Sequence, residues 1–192
     1  MSEAELGQAR RRLGEKAVLK LGKAQDLPSI DHAFDYVVCH LALMLMDSAD
    51  QVLAEIKRVL KPGGTVCALV GAEGESNAVA SAFRSVLVRY KPLPEYDGMQ
   101  VGDPRCSSES GLRDLFSRGF ETIQFEQFAI SLRLDPEGVW EWLLGMYSLY
   151  LFDLPQREAI RDELVPALIE LCDESGHVTV RESFRLVIAT AA

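Results

Sequence analysis

The residues able to do chemistry are few and scattered. His40 closes the apolar run "FDYVVCH" at 34–40, with Cys39 beside it. A neutral imidazole at a strand end can take a proton near pH 7, as a general base does. The plainer reading of His40, a hydrogen-bonded side chain lining a pocket, stands next to that one. Cys39 as a nucleophile would need an activating neighbour, and none is evident around it. The cysteines Cys39, Cys67, Cys106 and Cys172 form no C-x-x-C. The histidines His32, His40 and His177 show no ligand spacing, so no metal is expected. Cys39 and Cys67 lie inside apolar runs, where a free thiol behaves as a small buried hydrophobe. That usage suits a reducing cytoplasm, the expected location. Arg10, Arg11 and Arg12 form the one basic run, and nothing basic continues it. With a net charge of −9, the chain is not expected to bind nucleic acid, because backbone binding needs clustered Lys and Arg.

These residues need elements to position them. Ser2 with Glu5 reads as a capping box for a helix over 2–13, and Gly14 as its stop. Residues 17–23, "AVLKLGK", alternate and predict a strand, ended by Pro28. The run at 34–43 is apolar almost throughout, like a strand buried on both faces of a parallel sheet. Ser48 and Gln51 read as a second capping box. Val52, Leu53, Ile56, Val59 and Leu60 then recur on one helical face, and Pro62, Gly63 and Gly64 stop the helix. "TVCALVG" at 65–71 is a further strand, which completes a strand–helix–strand unit. Beyond it the spacing predicts a helix over 78–90, a loop over 91–106 and a short helix from Ser108 or Ser110 to about 118. A strand follows over 121–133, then a helix from Asp135 through 152. A second helix over 155–171 contains Pro166, and a closing strand covers 177–190. Trp140, Trp142, Tyr147, Tyr150 and Phe152 read either as a lid over an apolar substrate or as a buried packing helix. The most apolar long stretch, 139–152, is too short to span a bilayer, so no membrane is expected.

The stretch "FDYVVCHLALMLMDSADQVLAEIKRVLKPGGTVCALV" at 34–70 resembles the class I S-adenosylmethionine-dependent methyltransferases, in particular their small-molecule group. "GKAQDLP" at 22–28 and "SGLRDLFSRGF" at 110–120 extend the resemblance, which covers 1–134 well. It implies an α/β, Rossmann-like, doubly wound and mostly parallel sheet with strand order 3-2-1-4-5-7-6. It also implies S-adenosylmethionine as cofactor and a small-molecule acceptor. In such sheets ligands sit beyond the carboxyl ends of the strands. The implied cofactor positions are Lys23, Ala24 and Gln25, then Cys39, His40 and Leu41. Lys23 departs from the family, which places Asp there to accept from the adenine amine. An ammonium only donates, and Gln25 is the substitute. The family's glycine-rich turn and its acidic ribose contact belong upstream of residue 1. The resemblance therefore implies a sheet lacking its first two strands, and a truncated, even inactive, chain.

One domain is expected: a partial Rossmann-like core over 1–134, a helical insertion over 135–175 and a closing strand over 176–192. Two other functions stay open. One is a non-catalytic interaction module, a homodimer pairing through an exposed sheet edge. The other is a different Rossmann-type nucleotide-binding enzyme.

Overall fold

The computed structural model describes residues 3–72, 74, 77–96 and 102–192. The proposed cap Ser2 lies outside the described residues, as does part of the loop expected over 91–106.

Four strands form one mixed sheet: β1 (Phe34–His40), β2 (Leu60–Gly71), β3 (Phe120–Leu134) and β4 (Val178–Ala191), in the order β1-β2-β4-β3. β1 and β2 are parallel and β4 is antiparallel to β2. This matches the fourth, fifth, seventh and sixth strands of the order that the resemblance implies. The helices are α1 (Glu3–Leu13), α2 (Ala49–Val59), α3 (Ala78–Leu87), α4 (Glu109–Ser117), α5 (Pro136–Leu144) and α6 (Leu154–Ile169).

The chain divides into two compact units. The first is Met1–Ala72, Val101–Gln127 and Phe184–Ala192; the second is Glu73–Gln100 and Phe128–Ser183.

In the first unit, alternation along the strands decides the packing. Val66, Ala68 and Val70 of β2 and Val187 and Ala189 of β4 point to one face and are fully buried. They meet Val52, Leu53 and Ile56 of α2 and Leu112, Leu115 and Phe116 of α4 in one core. Val37 and Cys39 of β1 pack against the same core. The intervening residues Tyr36, Val38 and His40 lie opposite Thr65, Cys67 and Leu69, and all three are exposed. The expectation that the 34–43 run is buried on both faces is therefore wrong for one face. Composition cannot reveal whether a neighbouring layer is present. Arg105 joins the loop before α4 to α2, pairing with Asp103 at 2.7 Å, Asp50 at 2.5 Å and Asp114 at 3.4 Å.

The second unit has its own core. Val79, Phe83 and Val86 of α3 pack with Val139, Trp140 and Leu143 of α5, Ile160, Leu164 and Leu168 of α6, and Val178 and Val180. Side-chain caps start its helices. Asp135 accepts from the Gly138 N–H at 2.7 Å, and Asp153 and Gln156 form a reciprocal capping box. The helix expected through residue 152 ends at Leu144, because Gly145 takes the C-cap. A 3₁₀ turn, Tyr147–Leu151, follows it. Trp140 and Phe152 are buried, while Tyr147 and Tyr150 are exposed.

Three further local expectations fail. Residues 17–22 are not a strand, and the only pairing in 17–23 is the isolated bridge between Lys23 and Asp26. Alternation suits a strand, but a strand also needs a neighbour to take its N–H and C=O groups. Ser48 does not cap α2 with its side chain. Its backbone is left-handed (φ 53°, ψ 47°), and its carbonyl instead accepts from the Gln51 N–H at 2.8 Å. β2 begins at Leu60 rather than 65 and includes Pro62, Gly63 and Gly64. A Cβ on Gly64 would meet the Lys61 carbonyl oxygen at 2.9 Å, so the approach there requires glycine.

Candidate functional site

The parallel pair β1 and β2 ends at His40 and Gly71, and the segment 41–47 turns away between them. The Leu41 N–H donates to the Leu69 carbonyl at 2.9 Å, which carries the ladder one residue past β1. Leu41 itself is left-handed at φ 49°, a costly conformation for a branched side chain. Leu43 is fully buried and anchors the short 3₁₀ turn Leu43–Leu45. The Gly71 N–H, freed at the end of β2, donates to the Met44 Sδ at 3.0 Å. A small set of contacts thus fixes the backbone just beyond both strand ends.

Cys39 faces the core. Burial pushes its thiol up from its ordinary value, the reverse of what a nucleophile needs. Burial also pushes Cys106 up to about 11. His40 points to the exposed face, open to a bound molecule or to water. Among the described residues no group of acidic, histidine and cysteine side chains could hold a metal ion.

Residues 23–26 form a tight turn closed by the Asp26 N–H donating to the Lys23 carbonyl at 3.1 Å. Lys23 is exposed, and Ala24 packs against the core of the first unit. The Gln25 Nε2 donates to Asp47 twice, to the backbone carbonyl at 3.0 Å and to Oδ1 at 2.9 Å. Two acceptors on one side fix the orientation of the amide. Through Asp47 the 23–25 turn and the 39–41 strand end are tied to the same connecting segment.

Four residues that sequence reasoning did not assign to the site secure this arrangement: Asp47, Gln51, Glu55 and Arg58. The last three follow a spacing of i, i+4 and i+7, one polar stripe along α2. That spacing was visible in the sequence, but its partner segment was not.

The fold and these strand ends define a Rossmann-like α/β core, with ligands expected beyond the carboxyl ends of β1 and β2. The comparisons agree. The model of a methyltransferase domain matches residues 1–68. A demethylmenaquinone methyltransferase of Bacillus cytotoxicus is 30% identical over 143 residues, which cover 65% of this chain and 59% of that protein. The chain thus spans a little over half the length of that relative. A solved structure of a putative methyltransferase from Bacillus halodurans superposes with a TM-score of 0.58 at 16% identity, over 99% of this chain and 80% of that one. The [4+2]-cyclase SpnF superposes at 0.55 with 20% identity, over 99% and 64%. At such identities the likeness is one of fold alone. Over residues 1–68 the chain is similar in sequence to the methyltransferase domain, and its fold is that of the class I S-adenosylmethionine-dependent methyltransferases. Among the described residues no helix is long and apolar enough to cross a membrane.

Proposed function

We propose that the chain acts in methyl transfer from S-adenosylmethionine to a small-molecule acceptor. The observation that carries this is the Gln25 amide, whose Nε2 is held by Asp47 and whose Oε1 is a hydrogen-bond acceptor. Lys23 cannot accept from the adenine amine, and Gln25, oriented by Asp47 at 2.9 Å, can. The residues present fit the adenosine end of the cofactor: Gln25 Oε1 for the exocyclic amine and the backbone at Ala24 for the ring edge. The backbone of Cys39, His40 and Leu41 would hold the amino-acid end.

When bound, the sulfonium supplies an electrophilic methyl group. The protein's share is alignment and proton handling. The fixed turn at 41–45 holds the backbone beyond β1, so the acceptor approaches a rigid surface. His40, exposed at the strand end, takes the proton that the acceptor's nucleophilic atom gives up. The demethylmenaquinone relative favours an aromatic, apolar acceptor over a charged one. Transfer of a labelled methyl group to a panel of quinols, phenols and thiols tests the reading. Turnover with a small acceptor supports it, and label transfer to none of them counts against it.

The exposed edge favours a second reading. Tyr36 and Val38 are 71% and 72% exposed on β1, and such an edge suits pairing with a second copy. A monomer by sedimentation at high concentration would remove that reading.

A further inference from the structure

The turn at 23–27 has no sheet to hold it. Apart from the Lys23–Asp26 bridge, none of residues 17–30 pairs with a strand. The side chains of α2 take the place of that ladder. The Leu27 N–H donates to the Glu55 Oε2 at 2.8 Å, and the Leu27 carbonyl accepts from the Arg58 Nη2 at 3.1 Å. One residue's two backbone groups are thus held by two side chains. Those side chains also hold each other, through Arg58 Nε to Glu55 Oε1 and Arg58 Nη2 to Glu55 Oε2, both at 2.7 Å. Arg58 reaches further along the segment, to the Ser29 carbonyl at 2.9 Å and Asp31 Oδ1 at 2.6 Å. One turn earlier on α2, the Gln51 Nε2 donates to the Gln25 carbonyl at 3.1 Å.

An exposed ion pair alone stabilises little. This one differs because its spare donors and acceptors are spent on the backbone of another segment. Glu55 is held well down, to about 2, first by Arg58 and then by the Leu27 N–H. It therefore remains an acceptor throughout the neutral range.

We infer that Glu55 and Arg58 are positioning residues for the cofactor: they fix the backbone of residues 25–31 and so hold Gln25 where it meets the adenine. This rests on the methyltransferase reading above. The pair would not touch the cofactor. Its effect would reach the ligand through the Leu27 peptide groups and the turn before them.

The test uses the full chain with Glu55→Ala, Glu55→Gln, Arg58→Gln and, as a control in the second unit, Arg161→Gln. Two readouts are taken: amide hydrogen exchange across the chain, and calorimetric titration with S-adenosylhomocysteine and with methylthioadenosine. The expected result is faster exchange at 25–31 with β2 amides unchanged. Affinity for both ligands should fall about tenfold in E55A and R58Q, roughly the net worth of one hydrogen bond. E55Q keeps an acceptor for the Leu27 N–H and should retain more affinity than E55A. R161Q should match the parent. Faster exchange at 25–31 with affinity kept within about twofold would make the pair structural only and overturn the positioning role. Unchanged exchange in E55A and R58Q would overturn the clamp itself. If the parent protein binds neither ligand while exchange still responds, the methyltransferase reading fails, and the positioning role with it, leaving the clamp as a fact of the fold.

Discussion

Two valines on adjacent strands test how the sheet is covered. Val66 of β2 is 0% exposed, and Val38 of β1 is 72% exposed. Each loses two methyl groups on mutation to alanine. At Val66 the lost transfer energy is about 0.8 kcal/mol per group, and a cavity term of similar size adds to it. The expected cost of Val66→Ala is about 2–3 kcal/mol. At Val38 only about a quarter of the side chain is out of water, so Val38→Ala should cost about 0.4 kcal/mol. For a chain of this length each kcal/mol moves the melting temperature by about 2–4 °C. The two variants should therefore melt about 5–10 °C and about 1 °C below the parent. Urea unfolding followed by circular dichroism, beside scanning calorimetry, measures both. If Val38→Ala costs as much as Val66→Ala, the Tyr36, Val38 and His40 face is covered, and the packing described for β1 is wrong.

Acid should act on the Arg105 cluster. Hydrogen bonds from Arg105 hold Asp50 and Asp103 below the usual carboxylate range. Their contribution is thus present above the unfolded carboxylate value, about 3.9, and is lost as pH falls through the lower folded values. Arg105→Gln should flatten the dependence of the urea midpoint on pH between about 5 and 2, with the largest difference from the parent at neutral pH. Gly111→Ala in α4 would set a Cβ 2.7 Å from the Arg105 Cα, so backbone must shift. A loss of about 1–3 kcal/mol in urea unfolding is expected. Pro166 lies exposed inside α6, where it can give no N–H to the helix. Pro166→Ala should stabilise the chain by up to about 3 kcal/mol of helix propensity, read by calorimetry as a higher melting temperature.

Most elements were legible because their signals are local. The short helix after Ser108, the helix opened at Asp135 and the alternation at 121–133 and 177–190 all gave helices or strands in place. What failed depends on distant partners. Residues 17–23 alternate like a strand but find no neighbour. Ser48 and Gln51 have the spacing of a capping box. Yet Ser48 is left-handed, and the Gln51 side chain is drawn to Gln25, twenty-six residues away. The candidate site was legible only in part for the same reason. Its strand ends follow from the apolar runs, whereas the orientation of Gln25 depends on Asp47. The capture of Leu27 by Glu55 and Arg58 depends on backbone groups, which carry no residue identity to read.

The binding of S-adenosylhomocysteine to the purified chain, measured by calorimetry beside NAD and ATP, tests the central assignment most directly. Saturable binding of S-adenosylhomocysteine, weakened when Gln25 is changed to leucine and absent for NAD and ATP, is the expected result. Binding of NAD or ATP in its place would contradict the assignment and point to another nucleotide at the same strand ends.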